Sequence, residues 1–512
     1  MQEYKTECSK ADILCECGSE YTLPDYMGDI RRVLACTSRA TPSGRFIGNG
    51  EVQCAGIVSY ELLYTDPEGK LWCAPFTADY EFTADMGDCT CSDAQVHTRV
   101  QNTTCRPIGP RRVNVKSVLS SDVLNTECRE TAVAGTAFDG DARPETAETT
   151  CRPAYALYGT RDEREYAEEG DAFEGVPAEE LEIVGSFGTA TVREALCGDD
   201  FVTLRGDIEV SALVRHADEP PFPAKKIIRF DETVPLPGAR ADMCADGAAV
   251  ITSATCTTGR SDGGDAVLKF GAIAEFSAAA RTNGEITVIT DAYDRDTGCV
   301  CEYGKLTYSE FVDCRCMTLT ASADAPREDC SAEDVRDVIF SSPDLKNYAV
   351  HPVADGVHIE GNIVYTGIGV TQDDNGKFAY KTLRFEYPID ETVRVKVPAD
   401  NPEISVRLVP AGAEATLDSA RLYVHTTLQL DLAVYSGREC EILLSCDKAD
   451  GTPAREPGVI TVYYPDRTDT LWSVAKRYRI PAARLAADNN LSAECAATES
   501  GSLAGVKKLI IR

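Results

Sequence analysis

The stretch VQCAGIVSY, residues 52–60, alternates between apolar and other positions with a strict period of two. The apolar positions are every second residue from Val52 to Tyr60, and Gly56 is the middle one of the five. Successive side chains of a strand point to opposite faces, so the pattern predicts a β-strand with one buried face. A glycine on such a face marks a bulge or the close approach of another segment.

The same pattern occurs twice more, in VTLRGDIEV at 202–210 and VHIEGNIVY at 357–365. Gly206 and Gly361 take the place of Gly56, at successive separations of 150 and 155 residues. Each glycine is followed, 24 positions later, by an aromatic residue: Tyr80, Phe230 and Phe385. A period of this length indicates one domain per repeat, because each copy is long enough to bury its own core.

These repeats predict a mainly β chain: three tandem β-sandwich-like repeats followed by a small β-α-α-β module. The predicted divisions are repeats at 1–148, 149–300 and 301–448, a linker at 449–458 and the module at 459–512. Within the second repeat, the acidic segment 162–182 is expected to be a solvated linker. Two short helices are expected in the body, at 25–34 and 331–340.

The charge of the chain restricts its partners. The 512 residues carry a formal net charge of −32, which argues against binding to nucleic acid or to an anionic lipid surface. Residues 459–512 carry +3 and the first 458 carry −35, which suggests two modules with different partners. We find neither an export signal nor a run of ~18 apolar residues, so we expect no membrane insertion and a cytoplasmic location.

A short amphipathic helix is predicted by DTLWSVAKRYRI, residues 469–480. Leu471, Val474, Ala475 and Tyr478 have the i, i+3, i+4, i+7 spacing of one helix face. Asp469 and Thr470 can cap its start, Pro481 interrupts it, and a second helix is expected in the following PAARLAAD. Trp472 is the expected core anchor of so small a module.

The residues VITVYYPDRTDTLWSVAKRYRIPAARLAADNNL, with LAGVKKLII after them, resemble a LysM domain. Two departures are Thr468, where the family usually has glycine, and a longer insertion at Ser492–Ser502. The resemblance implies a shallow groove for N-acetylglucosamine-containing glycans. By position, the groove would be formed by Asp469, Thr470, Leu471, Asn489, Asn490 and Leu491. Capping of helices and turning of the chain account for these residues equally well.

Three cations of the helix, Lys476, Arg477 and Arg479, suit the C-terminal end of its dipole. Because they stand against a strongly acidic body, we also interpret them as a basic patch that contacts a partner.

The body, above all YTLPDYMGDIRRVLACTSR, VQCAGIVSYELLY and RRVNVKSVLS, resembles the SPOCS domain of endospore-forming bacteria. That resemblance implies a spore coat assembly protein made in the mother-cell cytoplasm and recruited to the forespore surface. The implied partner is the coat-morphogenetic ATPase or another coat protein. Our main hypothesis is therefore a non-enzymatic scaffold that binds this partner through its LysM and β domains. The alternative is a protein that binds peptidoglycan or a related glycan through the LysM domain.

Catalytic chemistry is not indicated by the sequence. GRSDG at 259–263 fits G-x-S-x-G, but a strand rather than the required helix is expected after it. We expect no catalytic residue, no cofactor and no metal site, and a hydrolase is the least favoured hypothesis. The 22 cysteines leave three alternatives open: reduced thiols, which we favour, a zinc site built from C-x-C pairs, or oxidative cross-links.

Overall fold

The chain is described by a computed structural model, and strands dominate it. The description covers residues 2–48, 50–86, 91–131, 145–217, 219–296, 298–372, 376–449, 459–491, 503 and 506–512.

The first unit is built from six antiparallel strands in two three-stranded sheets. The strands are β1 (Gln2–Thr22), β2 (Arg32–Gly48), β3 (Glu51–Thr65), β4 (Leu71–Asp85), β5 (Cys91–Gly109) and β6 (Arg112–Thr131). One sheet has the order β1-β6-β5 and the other has the order β2-β3-β4. The alternating stretch at 52–60 lies in β3, the central strand of the second sheet, where its apolar side is buried.

The second and third units repeat this topology. The strands of the second unit are β8 (Ala154–Phe173), β9 (Leu181–Gly198), β10 (Phe201–His216), β11 (Phe222–Pro235), β12 (Cys244–Arg260) and β13 (Ala266–Asn283). Those of the third are β15 (Gly298–Pro326), β16 (Asp337–Val353), β17 (Gly356–Gln372), β18 (Phe378–Val393), β19 (Pro402–Leu417) and β20 (Arg421–Ala449). Their sheet orders, β8-β13-β12 with β9-β10-β11 and β15-β20-β19 with β16-β17-β18, match those of the first unit.

The spacing between glycine and aromatic residue has a direct structural cause in the first two units. Gly56 pairs across the sheet with Tyr80, and Gly206 pairs with Phe230. A Cβ atom on Gly56 would lie 2.4 Å from the Tyr80 ring, so the ring occupies the space that a side chain would fill. An aromatic ring over a strand glycine restores the packing that the missing side chain forfeits. In the third unit the register differs, and Gly361 pairs with Ile389.

Each unit buries a core between its two sheets. In the first unit, for example, Val58 and Tyr60 of one sheet pack with Val115 and Leu119 of the other, all four without exposed surface. Comparable clusters fill the second and third units. The repeats therefore have separate cores, as their length predicts.

The three units also share buried contacts. An apolar cluster takes residues from all three: Leu34, Ala35, Leu63, Leu71, Cys73, Leu213, Ile339, Phe340, Ile368 and Val370. A disulfide between Cys244 of β12 and Cys314 of β15 joins the second unit to the third. Sixteen other cysteines of the described residues are free, so this bond is an exception in a chain that we expect to hold mostly reduced thiols.

Outside the three units, two small elements complete the chain. A two-stranded sheet pairs β7 (Glu145–Cys151) with β14 (Ile286–Tyr293), on either side of the second unit in sequence. The C-terminal module contains β21 (Thr461–Tyr463), α1 (Leu471–Tyr478), α2 (Ala482–Asp488) and β22 (Leu509–Ile511), and its two strands pair. The prediction of a mainly β chain that ends in a β-α-α-β module is confirmed.

Several local expectations differ from the structure. Residues 162–173 of the acidic segment belong to β8. A short connection at 174–180, which ends in the 3₁₀ turn Ala178–Glu180, separates that strand from β9. The acidic strand is stable because it pairs with β13 and its carboxylates stay at the surface near cations, as in Lys269–Glu169. Residues 25–34 and 331–340 contain turns that lead into β2 and β16. The prediction of a short helix at each place was therefore wrong.

The division into domains stays a prediction. Its limits at 148 and 300 fall within β7 and β15, and most of the linker at 449–458 lies outside the described residues. In the part of the chain that is described, no helix has the length and apolar character needed to cross a membrane.

Candidate functional site

The site is built around helix α1, whose ends are set by local chemistry. The side chain of Thr470 accepts a hydrogen bond from the Ser473 amide at 3.1 Å, and Ser473 Oγ accepts one from the Thr470 amide at 3.0 Å. This reciprocal pair satisfies amides that the first helical turn leaves without partners. The helix ends at Arg479, whose φ of 51° is left-handed. The inward face of the helix packs into the core of the module, and Leu471 and Trp472 are its first two residues.

Asn489 fixes the second half of the module. Its amide nitrogen donates to the carbonyl oxygens of Leu485 and Ile510 at 2.9 and 2.8 Å, and its Oδ1 accepts from the Ile510 amide at 2.6 Å. These bonds tie the end of α2 to β22. Asn489 therefore has a structural role in addition to any contact with a ligand.

The six predicted groove residues differ in what they can offer a ligand. Leu471 is 0% exposed, so its side chain packs the core and only its backbone could contribute to the groove. The reason is that Leu471 is the first residue on the apolar face of α1. Asp469 accepts hydrogen bonds from the Tyr463 hydroxyl at 2.6 Å and the Asp466 amide at 2.8 Å, which together lower the pKa of its carboxyl. Asn490 is exposed and left-handed, with φ of 54°, and Leu491 is half-buried.

An exposed aromatic residue lies beside these loops, and our sequence analysis did not single it out. Tyr464 is 71% exposed and begins the connection from β21 to α1. The only sequence signal was its place in VITVYY, where a period-two reading directs Tyr463 and Tyr464 to opposite faces. The insertion at Ser492–Ser502 lies outside the described residues.

The predicted basic patch is partly used inside the molecule. Lys476 Nζ lies 2.5 and 2.7 Å from the carboxylate oxygens of Asp291 in β14. Arg477 is exposed, donates to the Tyr463 hydroxyl at 2.6 Å and lies over that ring. Arg479 is the left-handed end of the helix. Lys476 therefore pairs with the body, so the three cations do not all face a partner as one patch.

Asp291 is the centre of a contact that docks the module on the body. Its carboxylate accepts hydrogen bonds from Trp472 Nε1 at 2.8 Å, from Lys476 and from the Tyr303 hydroxyl at 2.7 Å. Beside it, Tyr293 donates its hydroxyl to the Ile480 carbonyl at 2.6 Å.

The rings of Tyr293 and Trp472 meet edge to face, with centroids 5.0 Å apart. Trp472, expected as a core anchor of the module, therefore also anchors the module to the body. No local pattern around Asp291 indicates this role.

Ion pairing sets the protonation of Asp291. Burial raises the pKa of its carboxyl, but hydrogen bonds from Lys476, Trp472 and Tyr303 outweigh burial and lower the pKa below its usual value of 3.8. Stabilisation by a lowered carboxyl pKa is complete above the unfolded value and is lost as the pH falls through the folded value. We expect docking to be retained at neutral pH and to weaken only below about pH 4.

Replacing Asp291 by asparagine should weaken docking by about 1.5–3 kcal/mol, the range for hydrogen bonds to a charged group. The partial exposure of Lys476 keeps the loss below that of a fully buried ion pair. Faster hydrogen exchange in β14 and α1 would report the change. Glu302→Gln, an exposed neighbour on β15, is the matched control and should leave exchange unchanged.

A separate cavity of about 1150 Å³ lies between the three units. Most of its walls come from two edge strands of each unit, namely β2 and β5, β9 and β12, and β16 and β19. Residues of β10 and β11 in the second unit add to the lining. Burial raises the pKa of Glu209 and of Asp344 in its walls and lowers the pKa of Arg39. Among the described residues, no group of three or more His, Cys, Asp and Glu side chains could hold a metal ion.

The two strands and two helices form a small β-α-α-β module that is docked on a large β body. The comparison with known families identifies the module: residues 467–494 match the LysM domain. The chain therefore contains a LysM domain, and the sequence resemblance in this region is confirmed. No curated protein and no solved structure matched the chain significantly.

Proposed function

We propose that this protein binds N-acetylglucosamine-containing glycan, such as peptidoglycan, through its LysM domain. The match of residues 467–494 to that family supports glycan binding as the function of the module. The observation that carries the proposal is the separation of two surfaces on the module. Docking uses α1 and the turn after it, whereas the hydrogen bonds of Asp469, Thr470 and Asn489, described residues of the two loops expected to form the groove, stay within the module.

The docking contacts come from Trp472, Lys476 and Ile480. Hydrogen bonds of the loop residues instead join Asp469 to Tyr463 and Thr470 to Ser473, inside the module. A glycan can therefore approach the loops without displacing the module from the body.

The loops provide the chemistry that a sugar requires. The amide of Asn490 is exposed and can bond acetamido or hydroxyl groups, while the exposed ring of Tyr464 offers a flat apolar surface to a sugar face. Asp469 is held ionised by its hydrogen bonds and adds an acceptor near the start of α1.

The test is binding of the full-length chain to insoluble peptidoglycan and to chitin oligosaccharides, measured by sedimentation and by calorimetry. Asn490→Gly retains the left-handed backbone and removes the amide. We expect it to weaken binding roughly fivefold, the loss of one neutral hydrogen bond of about 1 kcal/mol. Arg484→Ala, exposed on α2, is the control and should bind as the unaltered chain does. Failure of the unaltered chain to bind either glycan would refute the proposal.

A second candidate is a non-enzymatic scaffold in spore coat assembly, located in the mother-cell cytoplasm and recruited to the forespore. The resemblance of the body to the SPOCS domain supports it, and so does the threefold recurrence of one six-strand topology. In this case the LysM and β domains would contact the coat-morphogenetic ATPase or another coat protein. Capture of such a protein from sporulating cells, undiminished by excess chitin oligosaccharide, would favour the scaffold over glycan binding.

A further inference from the structure

Three cysteines lie close together where β15 and β20 extend past β19 and pair only with each other as a two-stranded ribbon. Cys299 and Cys301 lie two residues apart on β15, and Cys446 lies on β20. Side chains two residues apart on a strand share a face. The thiols of Cys299 and Cys301 both contact Cys446.

Cys301 and Cys446 have the geometry that a disulfide requires. They are directly opposite in the antiparallel register, and their sulfur atoms are 3.4 Å apart. Facing residues of such a ladder have Cα atoms about 4.5–5.5 Å apart, within the range of about 4.4–6.8 Å that disulfides span. A bond between these two sulfurs therefore needs no shift of the strands. Cys299 faces Lys448 instead.

The two thiols also differ in access. Cys301 is half-buried, whereas Cys446 is 4% exposed and packs beside Ala292 and Leu443. Burial and its contacts with Cys299 and Cys301 raise the pKa of the Cys446 thiol. An oxidant would thus reach Cys301 first, and Cys446 would serve as the resolving thiol from inside the protein.

We propose that Cys301 and Cys446 form a thiol–disulfide exchange site that reacts with low-molecular-weight disulfides. The Cys301 thiolate attacks one sulfur of the small disulfide, forms a mixed disulfide and releases one small thiolate. Cys446 then loses its proton to solvent and attacks the Cys301 sulfur, which releases the second small thiolate. The protein loses two protons and two electrons, and the small disulfide takes up two of each to become two thiols.

The site lies directly beneath the contact that docks the LysM domain. Cys301 donates its thiol proton to the carbonyl of Ala292, the residue after Asp291. Two residues further along β15, Tyr303 bonds the Asp291 carboxylate. Oxidation would link β15 to β20 through a Cys301–Cys446 bond, beside the dock. The bond would close a loop that spans 145 residue positions. A cross-link over so long a loop restricts the unfolded chain strongly, so the ribbon that supports the dock should resist unfolding more when oxidised.

The test uses the full-length protein, reduced, freed of reductant and incubated with glutathione disulfide without denaturant. Remaining thiols are blocked with N-ethylmaleimide, and the digest is searched by mass spectrometry for disulfide-linked peptides. We expect a linked pair containing Cys301 and Cys446, and a higher melting temperature than that of the reduced protein.

In Cys446→Ser, we expect the linked pair to be replaced by glutathione held on Cys301. The rise in melting temperature should then be only the smaller one that re-formation of the Cys244–Cys314 bond gives. Cys440→Ser is the matched control, because Cys440 lies on the same strand but opposite Leu306. It should form the pair as readily as the unaltered chain. The proposal is overturned if Cys446 remains blocked by N-ethylmaleimide after oxidation, or if its link runs to Cys299.

Discussion

Replacing Arg281 by alanine is expected to lower the free energy of unfolding by about 3–5 kcal/mol, the cost of removing one partner from buried ionic groups. Arg281, on β13 of the second unit, is 4% exposed. Its guanidinium pairs with Glu7 of the first unit, Nε to Oε1 at 3.3 Å, and with Asp246 of the second. It also donates to the Tyr435 hydroxyl of the third unit at 3.1 Å.

The loss should be large because the buried carboxylates of Glu7 and Asp246 would no longer have the guanidinium as their cationic partner. Tyr158 and Tyr435 donate their hydroxyls to Glu7 at 2.8 and 2.6 Å, and its charge stays buried when the guanidinium is gone. An unpaired buried charge is costly in a low-dielectric interior. The network holds one residue from the first unit, three from the second and one from the third, so all three units should loosen together.

Urea unfolding followed by circular dichroism, with hydrogen exchange in β1, β13 and β20, would measure the effect. Arg205→Ala is the matched control in the same unit, because its pairs with Asp231 and Glu194 are exposed. It should cost less than about 1 kcal/mol. A loss for Arg281→Ala no larger than for this control would show that the network does not join the units.

Replacing Trp472 by alanine is expected to cost roughly 3–5 kcal/mol, in the range for truncation of a buried aromatic side chain. Trp472 is 4% exposed and has two sets of partners. Inside the module it packs with the apolar side of α1, and outside it contacts Tyr293 and donates to Asp291. We therefore expect both unfolding of the module and its release from the body.

Hydrogen exchange in α1, α2 and β14 would distinguish these effects, since unfolding exposes the helices and release alone exposes β14. Trp472→Phe keeps an aromatic ring but removes the hydrogen bond to Asp291, so it should retain the helices and weaken mainly the dock. Protection of both helices in Trp472→Ala equal to that in the unaltered chain would contradict the prediction.

Comparison of individual residues shows how far sequence reasoning reached. The period-two runs predicted the central strands, and the 24-residue spacing is the cross-strand pairing of Gly56 with Tyr80 and of Gly206 with Phe230. The same reasoning was wrong for the helices expected at 25–34 and 331–340, where tertiary pairing of the adjoining strands overrode a helical pattern. At the candidate site it located α1 and placed Leu471 on the apolar face of that helix, where the residue is buried.

The sequence by itself determined the β character of the body, its repetition and the LysM domain at its end. These features follow from local periodicity, capping and turn chemistry, which act over a few residues. Only the tertiary structure decided that Lys476 meets Asp291, that Arg281 meets Glu7 and that Cys301 faces Cys446.

The partners in these pairs are separated by 185, 274 and 145 positions. Which distant strands pack together, and in what register, depends on the shape of the whole chain. No short pattern contains that information.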